Sequence, residues 1–399
     1  MHQQCPAWIG GVACLAAAVI APIPGASQVQ VQQLDRAEAV FSEPFTSVAG
    51  LRELSNGRIL IADRTEKHVS FIDFATGSIR QIGRVGEGPS EYQSPGGLVT
   101  LPDDYTLLLD LANLRLTRIA PDGKLEMESW PMLSPSGLIR PTAADAQGRL
   151  FYSAGGGLRV ARVGGGAAPP SDSIPIMRWD PATDMTDTVG TFYSPSGTSR
   201  GGGNVSFSSG RSGRISLAGF RQQPFSPRDG WTALPDGGVA VARATTYRMD
   251  WYRNGVSTAG PTIEYDPIRI NKDEKEAWAD GQANQTATFV ALDGGPGRRG
   301  GGGTFAVPRP DIDEIEFPDH KPPFPTTGVR ATPDGQIWVQ RYQRHTEERA
   351  LFDVFDGRGE LVKQVLLPAG RRLIGFGNGV LYAVMTDEDD LQWLERYRR

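Results

Sequence analysis

Cysteine and histidine are scarce in this chain of 399 residues. The two cysteines, Cys5 and Cys14, both lie within the first 14 residues, so no disulfide framework can organise the rest of the chain. Four histidines leave little material for a zinc centre, which gathers several His or Cys side chains at one point. There is no basic excess either: the formal charge is -5, which excludes a broad positive field for nucleic acid. No apolar run reaches the roughly 20 residues that a membrane-spanning helix needs. Helix patterning is confined to residues 271–280, where Asn271 can cap and acidic residues fill the first turn. No Gly-x-Ser-x-Gly stands in a strand-turn-helix setting, so a serine nucleophile has no support. What is abundant is glycine (49) and proline (30), interleaved with short alternating apolar runs. That is turn-and-strand material, below the density of low-complexity sequence.

The N-terminus reads as an export signal. Residues 7–23 are apolar, and Pro24 is followed by Gly25-Ala26-Ser27, small residues suited to signal-peptidase cleavage. Residues 1–27 are therefore expected to be removed, leaving 28–399 as one exported domain, periplasmic or extracellular, with no membrane span. The leader departs from the usual pattern in having no Lys or Arg before the apolar run. Lipid anchoring through Cys14 would leave most of that run on the wrong side of the cysteine.

The rest repeats one unit, a tight turn followed by an alternating strand and then a second strand. Turns at Asn56-Gly57, Asp103-Asp104, Gln147-Gly148, Asp236-Gly237, Asp334-Gly335 and Asn378-Gly379 each precede such a strand. Asn-Gly and Asp-Gly supply the positive φ that two-residue hairpins require. The residues after each turn alternate at period two with β-branched or aromatic members. A small sheet cannot shield both of its faces, whereas radial stacking covers each face with the next sheet. The expected fold is thus all-β: a six-bladed β-propeller with Gly-rich insertions near 155–170, 197–213 and 271–316, the last carrying one short helix. The final blade has only three strands of its own, 371–376, 380–384 and 391–397. Residues 37–41 are free to supply the fourth and so close the ring.

The stretch Asp110-Leu-Ala-Asn113-Leu-Arg115, followed by Asp122-Gly123, resembles an NHL repeat. The segment Gly86-Glu-Gly88-Pro89-Ser-Glu91-Tyr92 is similar to the inter-repeat motif of bacterial six-bladed NHL-like propellers. The chain as a whole resembles exported propellers of the TolB-like superfamily. That resemblance implies the fold and leaves activity open, because the group includes binding scaffolds, calcium-dependent lactonases and a zinc-dependent lyase.

In a propeller the loop after each second strand opens on one face around the axis. Here those loops begin at Asp63-Arg64, Asp110, Ser153, Arg243, Arg341 and Thr386-Asp387. Asp63, Arg64, Asp110, Arg243, Arg341 and Asp387 are the candidate ligand-binding residues, a mixed-charge mouth for a polar ligand held by Arg243 and Arg341. The competing reading is that Asp63 and Asp110 only accept hydrogen bonds at a strand end. The acidic run 387–390 lacks the interleaving and central glycine of an EF-hand loop and reads as a solvated turn. His68, His320 and His345 stand in three different contexts. The expected function is a ligand- or protein-binding module without a cofactor. The alternative is a lactonase-like hydrolase or lyase, which would need calcium or another metal held by acids at the same mouth.

Overall fold

The computed structural model describes residues 29–134, 137–154, 172–195, 223–283 and 309–399, with the short strands Ser206–Phe207, Ile215–Ser216, Thr286–Val290 and Gly302–Ala306. Residues 1–27, read above as an export signal, the Gly-rich stretches 155–170 and 294–301, and most of 197–213 fall outside the described residues.

Six antiparallel sheets succeed one another along the chain. From the axis outwards, blade 1 is Val48–Glu53, Ile59–Asp63, His68–Asp73 and Ser78–Ile82. Blade 2 is Pro95–Thr100, Thr106–Asp110, Arg115–Ile119 and Leu125–Pro131. Blade 3 is Ala143–Ala144, Leu150–Ser153, Ser173–Asp180 and Met185–Tyr193. Blade 4 is Gly230–Ala233, Val239–Arg243, Arg248–Arg253 and Val256–Ala259. Blade 5 is Val329–Ala331, Ile337–Gln340, Arg349–Phe355 and Leu361–Ala369. Blade 6 is Arg371–Phe376, Val380–Thr386 and Gln392–Arg398.

The turn chemistry explains the hairpins. Gly57, Gly148, Gly237, Gly335 and Gly379 all have φ between 69° and 84°. In blade 2 the same turn has no glycine, and Asp103 and Asp104 take the left-handed conformation themselves, at φ 54° and 58°.

The alternation explains the ring. In blade 1, Ile59 and Ile61 pack with Ile374, Tyr382 and Val384 of blade 6, while Leu60 and Ala62 pack with Leu108 and Ile119 of blade 2. In blade 2, Leu107 and Leu109 turn the other way, onto Leu150 and Tyr152 of blade 3. In blade 4, Val239 and Val241 meet Phe151 and Ile176 of blade 3, and Ala240 and Ala242 meet Ile337 and Val339 of blade 5. Trp338, Phe352 and Val354 of blade 5 meet Leu373, Leu381 and Tyr397 of blade 6. Each gap between neighbouring blades, including that between the last and the first, thus holds its own apolar cluster. A second strand buried on both faces is what makes near-continuous runs such as Ile59–Asp63 possible.

The N-terminal segment adds strands to two blades. Ala39–Val40 pairs antiparallel with Glu395 and Arg396 on the outer side of blade 6, within the stretch 37–41 singled out from sequence. Val31–Gln33 pairs parallel with Gln364–Leu366 on the outer edge of blade 5, a contact that its polar sequence did not signal. The helix Lys272–Ala283 forms where the pattern places it, and the Asn271 side chain accepts from the Glu274 amide at 2.9 Å. The Pro-rich entry to blade 5 is packed rather than free: Phe324 is buried in the cluster between blades 4 and 5, and Lys321 N donates to Ile268 O at 2.8 Å.

Candidate functional site

All six second strands end on one face of the ring, so the loops after Asp63, Asp110, Ser153, Arg243, Gln340 and Thr386 share a mouth. Two of the expected carboxylates serve the backbone there. Asp63 is buried; its Oδ2 accepts from the amides of Thr46 (2.7 Å) and Ser47 (3.0 Å), and its Oδ1 from that of Glu66 (3.0 Å). Asp110, fully buried, does the same for Gln93, Ser94 and Asn113, and its Oδ2 takes the Asn113 Nδ2–H at 2.6 Å. Each ties the entry of an inner strand to the turn after the second strand, the strand-end role. Asp387 is also occupied. Its carboxylate accepts from Trp393 Nε1 (2.7 Å) and from the Leu391 and Asp389 amides, and these bonds, Trp393 first, hold it below the usual aspartate range.

The two arginines expected to hold a ligand are matched by acids. Arg243 donates from Nε to Asp250 (2.7 Å), from Nη1 to Asp229 (2.7 Å) and from Nη2 to the Tyr252 hydroxyl (2.8 Å). Burial pulls its guanidinium down, but the bonds to Asp229 and Asp250 outweigh that and raise it above its ordinary value. Arg341 donates from Nη1 to Asp353 (3.0 Å) and from Nε to Pro323 O (3.0 Å). Its guanidinium also lies over the rings of Tyr247 (5.0 Å) and Tyr265 (5.1 Å). Asp353 is fully buried, and its Oδ2 also accepts the Tyr247 hydroxyl at 2.5 Å. Asp353, shared by Arg341 and Tyr247, binds blade 5 to the mouth loop of blade 4, while Arg243 stays within blade 4 and reaches Thr191 O of blade 3 at 3.3 Å; both guanidiniums are charge-matched by acids.

A different set of arginines remains open. Arg64 follows the second strand of blade 1 and reaches Gly96 O of blade 2 with Nη2 at 3.5 Å. Arg140 stands at the mouth end of blade 3, two residues before Thr142, whose amide extends the inner ladder to Phe151 O. Arg330, on the inner strand of blade 5, donates to Ile374 O of blade 6 at 3.1 Å. Arg372, near the mouth end of the inner strand of blade 6, donates to the Gln392 side chain at 3.3 Å. Among the described residues none of the four has a carboxylate within ion-pair distance. Arg64, Arg140 and Arg372 are open to water and Arg330 is half-buried. Burial lowers the guanidinium pKa of Arg64, Arg330 and Arg372, and like charge lowers it further, from Arg140 on Arg64 and from Arg372 on Arg330. Of the four, only Arg64 was named from the sequence. The available signal was a cationic side chain on or beside inner strands made otherwise of small and apolar residues.

No family model matches the chain, and no curated protein matches it. Solved propeller structures do. A Bacteroides fragilis protein described as exported aligns at 11% identity over 92% of this chain and 98% of its own, with TM-score 0.48. Regucalcin from Agrobacterium tumefaciens, described as calcium-binding, aligns at 11% identity over 92% and 96%, with TM-score 0.39. Virginiamycin B lyase from Staphylococcus aureus aligns at 12% identity over 90% and 97%, with TM-score 0.38. The six sheets themselves carry the fold assignment.

Among the described residues no three His, Cys, Asp or Glu side chains come together as a metal site would require. No helix among them is long and apolar enough to cross a membrane. Among the described residues the acid within ion-pair distance of a histidine is Glu274 of the inserted helix, which the sequence did not single out. Its carboxylate meets Lys321 Nζ (2.5 Å) and His345 Nδ1 (3.2 Å), pinning the helix to the mouth loop of blade 5. Burial pushes this carboxyl up, but Lys321 and His345 outweigh it and bring it below the ordinary glutamate value. Burial likewise raises Asp250, and its bonds to Arg248 and then Arg243 outweigh it. Depressed folded values mean stability that is fully present above the unfolded carboxylate pKa of about 4 and is lost as pH falls towards the folded value. The melting temperature is therefore expected to be flat from about pH 7 to 5 and to fall steeply below about pH 4. Glu274→Gln should flatten part of that fall, and a wild-type profile level down to about pH 3 would contradict the assignment.

Proposed function

We propose that this chain is an exported propeller that binds a polar ligand or partner at its axial mouth and performs no chemistry there. One contrast carries the reading. Asp63, Asp110 and Asp387, the acids expected to line the mouth, accept from backbone amides and nearby side chains, and Asp229, Asp250 and Asp353 pair with Arg243 and Arg341, whereas Arg64, Arg140, Arg330 and Arg372 have no acid within ion-pair distance among the described residues. A metal-dependent hydrolase would need the opposite arrangement, with oxygens free to converge on a cation. Export rests on the leader read in residues 1–27.

The test is a melting curve of the chain beginning at Gln28, with calcium added and with EDTA, beside metal analysis of the purified protein. Ligand that binds only the folded state at 100 times its Kd would stabilise by about 2.7 kcal/mol, so a specific calcium site could not be missed. No shift and no stoichiometric metal are expected. A calcium-dependent rise of several degrees would transfer the proposal to the lactonase-like hydrolase or lyase.

A further inference from the structure

The four open arginines fall into two pairs on opposite arcs of the ring. Inner strands touch in the order blade 1, 2, 3, 4, 5, and the inner strand of blade 6 returns to that of blade 1. Arg64 ends at Gly96 of blade 2, and Arg140 precedes the inner strand of blade 3. Arg330 and Arg372 belong to blades 5 and 6. In a six-membered ring, blades 2 and 3 stand across the axis from blades 5 and 6. Two pairs of arginines without acid partners thus belong to opposite arcs of the ring.

Such an arrangement is costly unless an anion completes it. Arg64, Arg330 and Arg372 are partly stripped of water, and Arg140 and Arg372 add like charge beside Arg64 and Arg330, which lowers the stability of the empty protein. Guanidinium is also the group best suited to an oxyanion, because its parallel N–H donors match the two oxygens of a carboxylate or phosphate. The donors are not used up. Arg64, Arg330 and Arg372 each spend one terminal nitrogen on a fixed acceptor, Gly96 O, Ile374 O and the Gln392 amide, which orients the side chain. A guanidinium carries five N–H groups, so donors remain for a ligand. Fixed acceptors behind the guanidiniums reduce the entropy lost when a ligand binds.

We propose that the axial mouth takes a small molecule with two oxyanionic groups, one for the Arg64–Arg140 arc and one for the Arg330–Arg372 arc. This rests on the binding reading above and narrows it to a ligand class. A ligand with a single carboxylate engages one arc and leaves the other unpaired, so bivalency is the discriminating property.

Isothermal titration calorimetry at low salt, where exposed charges are least screened, reads this directly. The probes are citrate, pyrophosphate and acetate, and the protein is the chain beginning at Gln28. Citrate or pyrophosphate should bind at one site per chain, and the stronger of the two identifies carboxylate or phosphate as the oxyanion. Acetate should bind at least about tenfold more weakly, since it forgoes one charge-assisted contact. Arg140→Gln and Arg330→Gln, one per arc, should each weaken the better probe about tenfold and together abolish it. Arg358→Gln, in an exposed turn on the opposite face, should leave it unchanged. Melting temperature certifies each variant as folded, and both arginine replacements should hold or raise it, because they relieve repulsion. Acetate binding as tightly as citrate, no heat with either multivalent probe, or binding indifferent to both replacements would overturn the proposal. Failure of the binding reading shows separately, as calcium dependence in the melting curve.

Discussion

Asp353→Ala is expected to remove about 3–5 kcal/mol of folding stability, the usual result of stranding one member of a buried ion pair. The reason is the number of groups that depend on this one carboxylate. Oδ2 accepts from Arg341 and from the Tyr247 hydroxyl, and Oδ1 accepts from Gln364 Nε2 at 2.8 Å. Burial, and then the Asp353 charge, push the Tyr247 hydroxyl well above its ordinary range, so it remains a donor at any working pH. With alanine, Tyr247 keeps its proton and loses its acceptor, and Arg341 keeps a charge it cannot shed. Only 12% of the Arg341 side chain is exposed, so water cannot replace the carboxylate fully. The network joins the mouth loop of blade 4 to blade 5, so damage should spread to the packing between them. Denaturant unfolding would check the size. Arg341→Met in the Asp353→Ala background should recover part of the loss, because the stranded charge goes with it. A loss below about 1 kcal/mol for Asp353→Ala, or no recovery in the pair, would show that water satisfies this site.

The fold was legible because each level of the sequence points the same way. Asn56-Gly57 and its equivalents set the hairpins, and strands such as Ile59–Asp63 alternate between two neighbours that are both apolar. The strand-end acids were legible for the same reason: Asp63 and Asp110 recur at one place in the repeat, and a recurrent residue usually serves the repeat. The open arginines were hidden. Arg140, Arg330 and Arg372 lie far apart in the chain, and each becomes notable only when the ring brings it to the axis with no acid opposite. Arg243 and Arg341 looked open for the mirror-image reason. Asp250 is seven residues from Arg243 and Asp353 is twelve from Arg341, across hairpins whose register decides the pairing. Sequence presents the charge, and only the fold reveals its partner.

The attachment of the N-terminal segment gives the second large effect. Removing residues 28–42 is expected to cost more than any single substitution outside a buried network. Besides the strand pairings of Val31–Gln33 and Ala39–Val40, four flanking main-chain bonds go with it: Gln364 N to Gln30 O, Leu34 N to Leu366 O, Glu38 N to Arg396 O and Phe41 N to Leu394 O. Two buried apolar side chains go as well. Phe41 is 1% exposed, in the cluster between blades 6 and 1, and Leu34 is 8% exposed, in the cluster between blades 5 and 6. Losing a buried Leu costs about 2–5 kcal/mol and a buried Phe about 3–5 kcal/mol, and here both gaps that flank the last blade are opened together. Their removal also bares the outer edges of Gln392–Arg398 and Leu361–Ala369, and an unpaired edge is a template for pairing between chains. The chain beginning at Glu43 should therefore melt more than about 10 °C lower than the chain beginning at Gln28, and it should self-associate on size-exclusion chromatography. Phe41→Ala in the longer chain separates the two causes, because it keeps every backbone pair and removes only the ring. It should lower stability by about 3–5 kcal/mol while the protein stays monomeric. Equal melting temperatures for the two chain lengths would mean that blades 5, 6 and 1 hold together by their own packing, with the N-terminal strands as mere decoration on their edges.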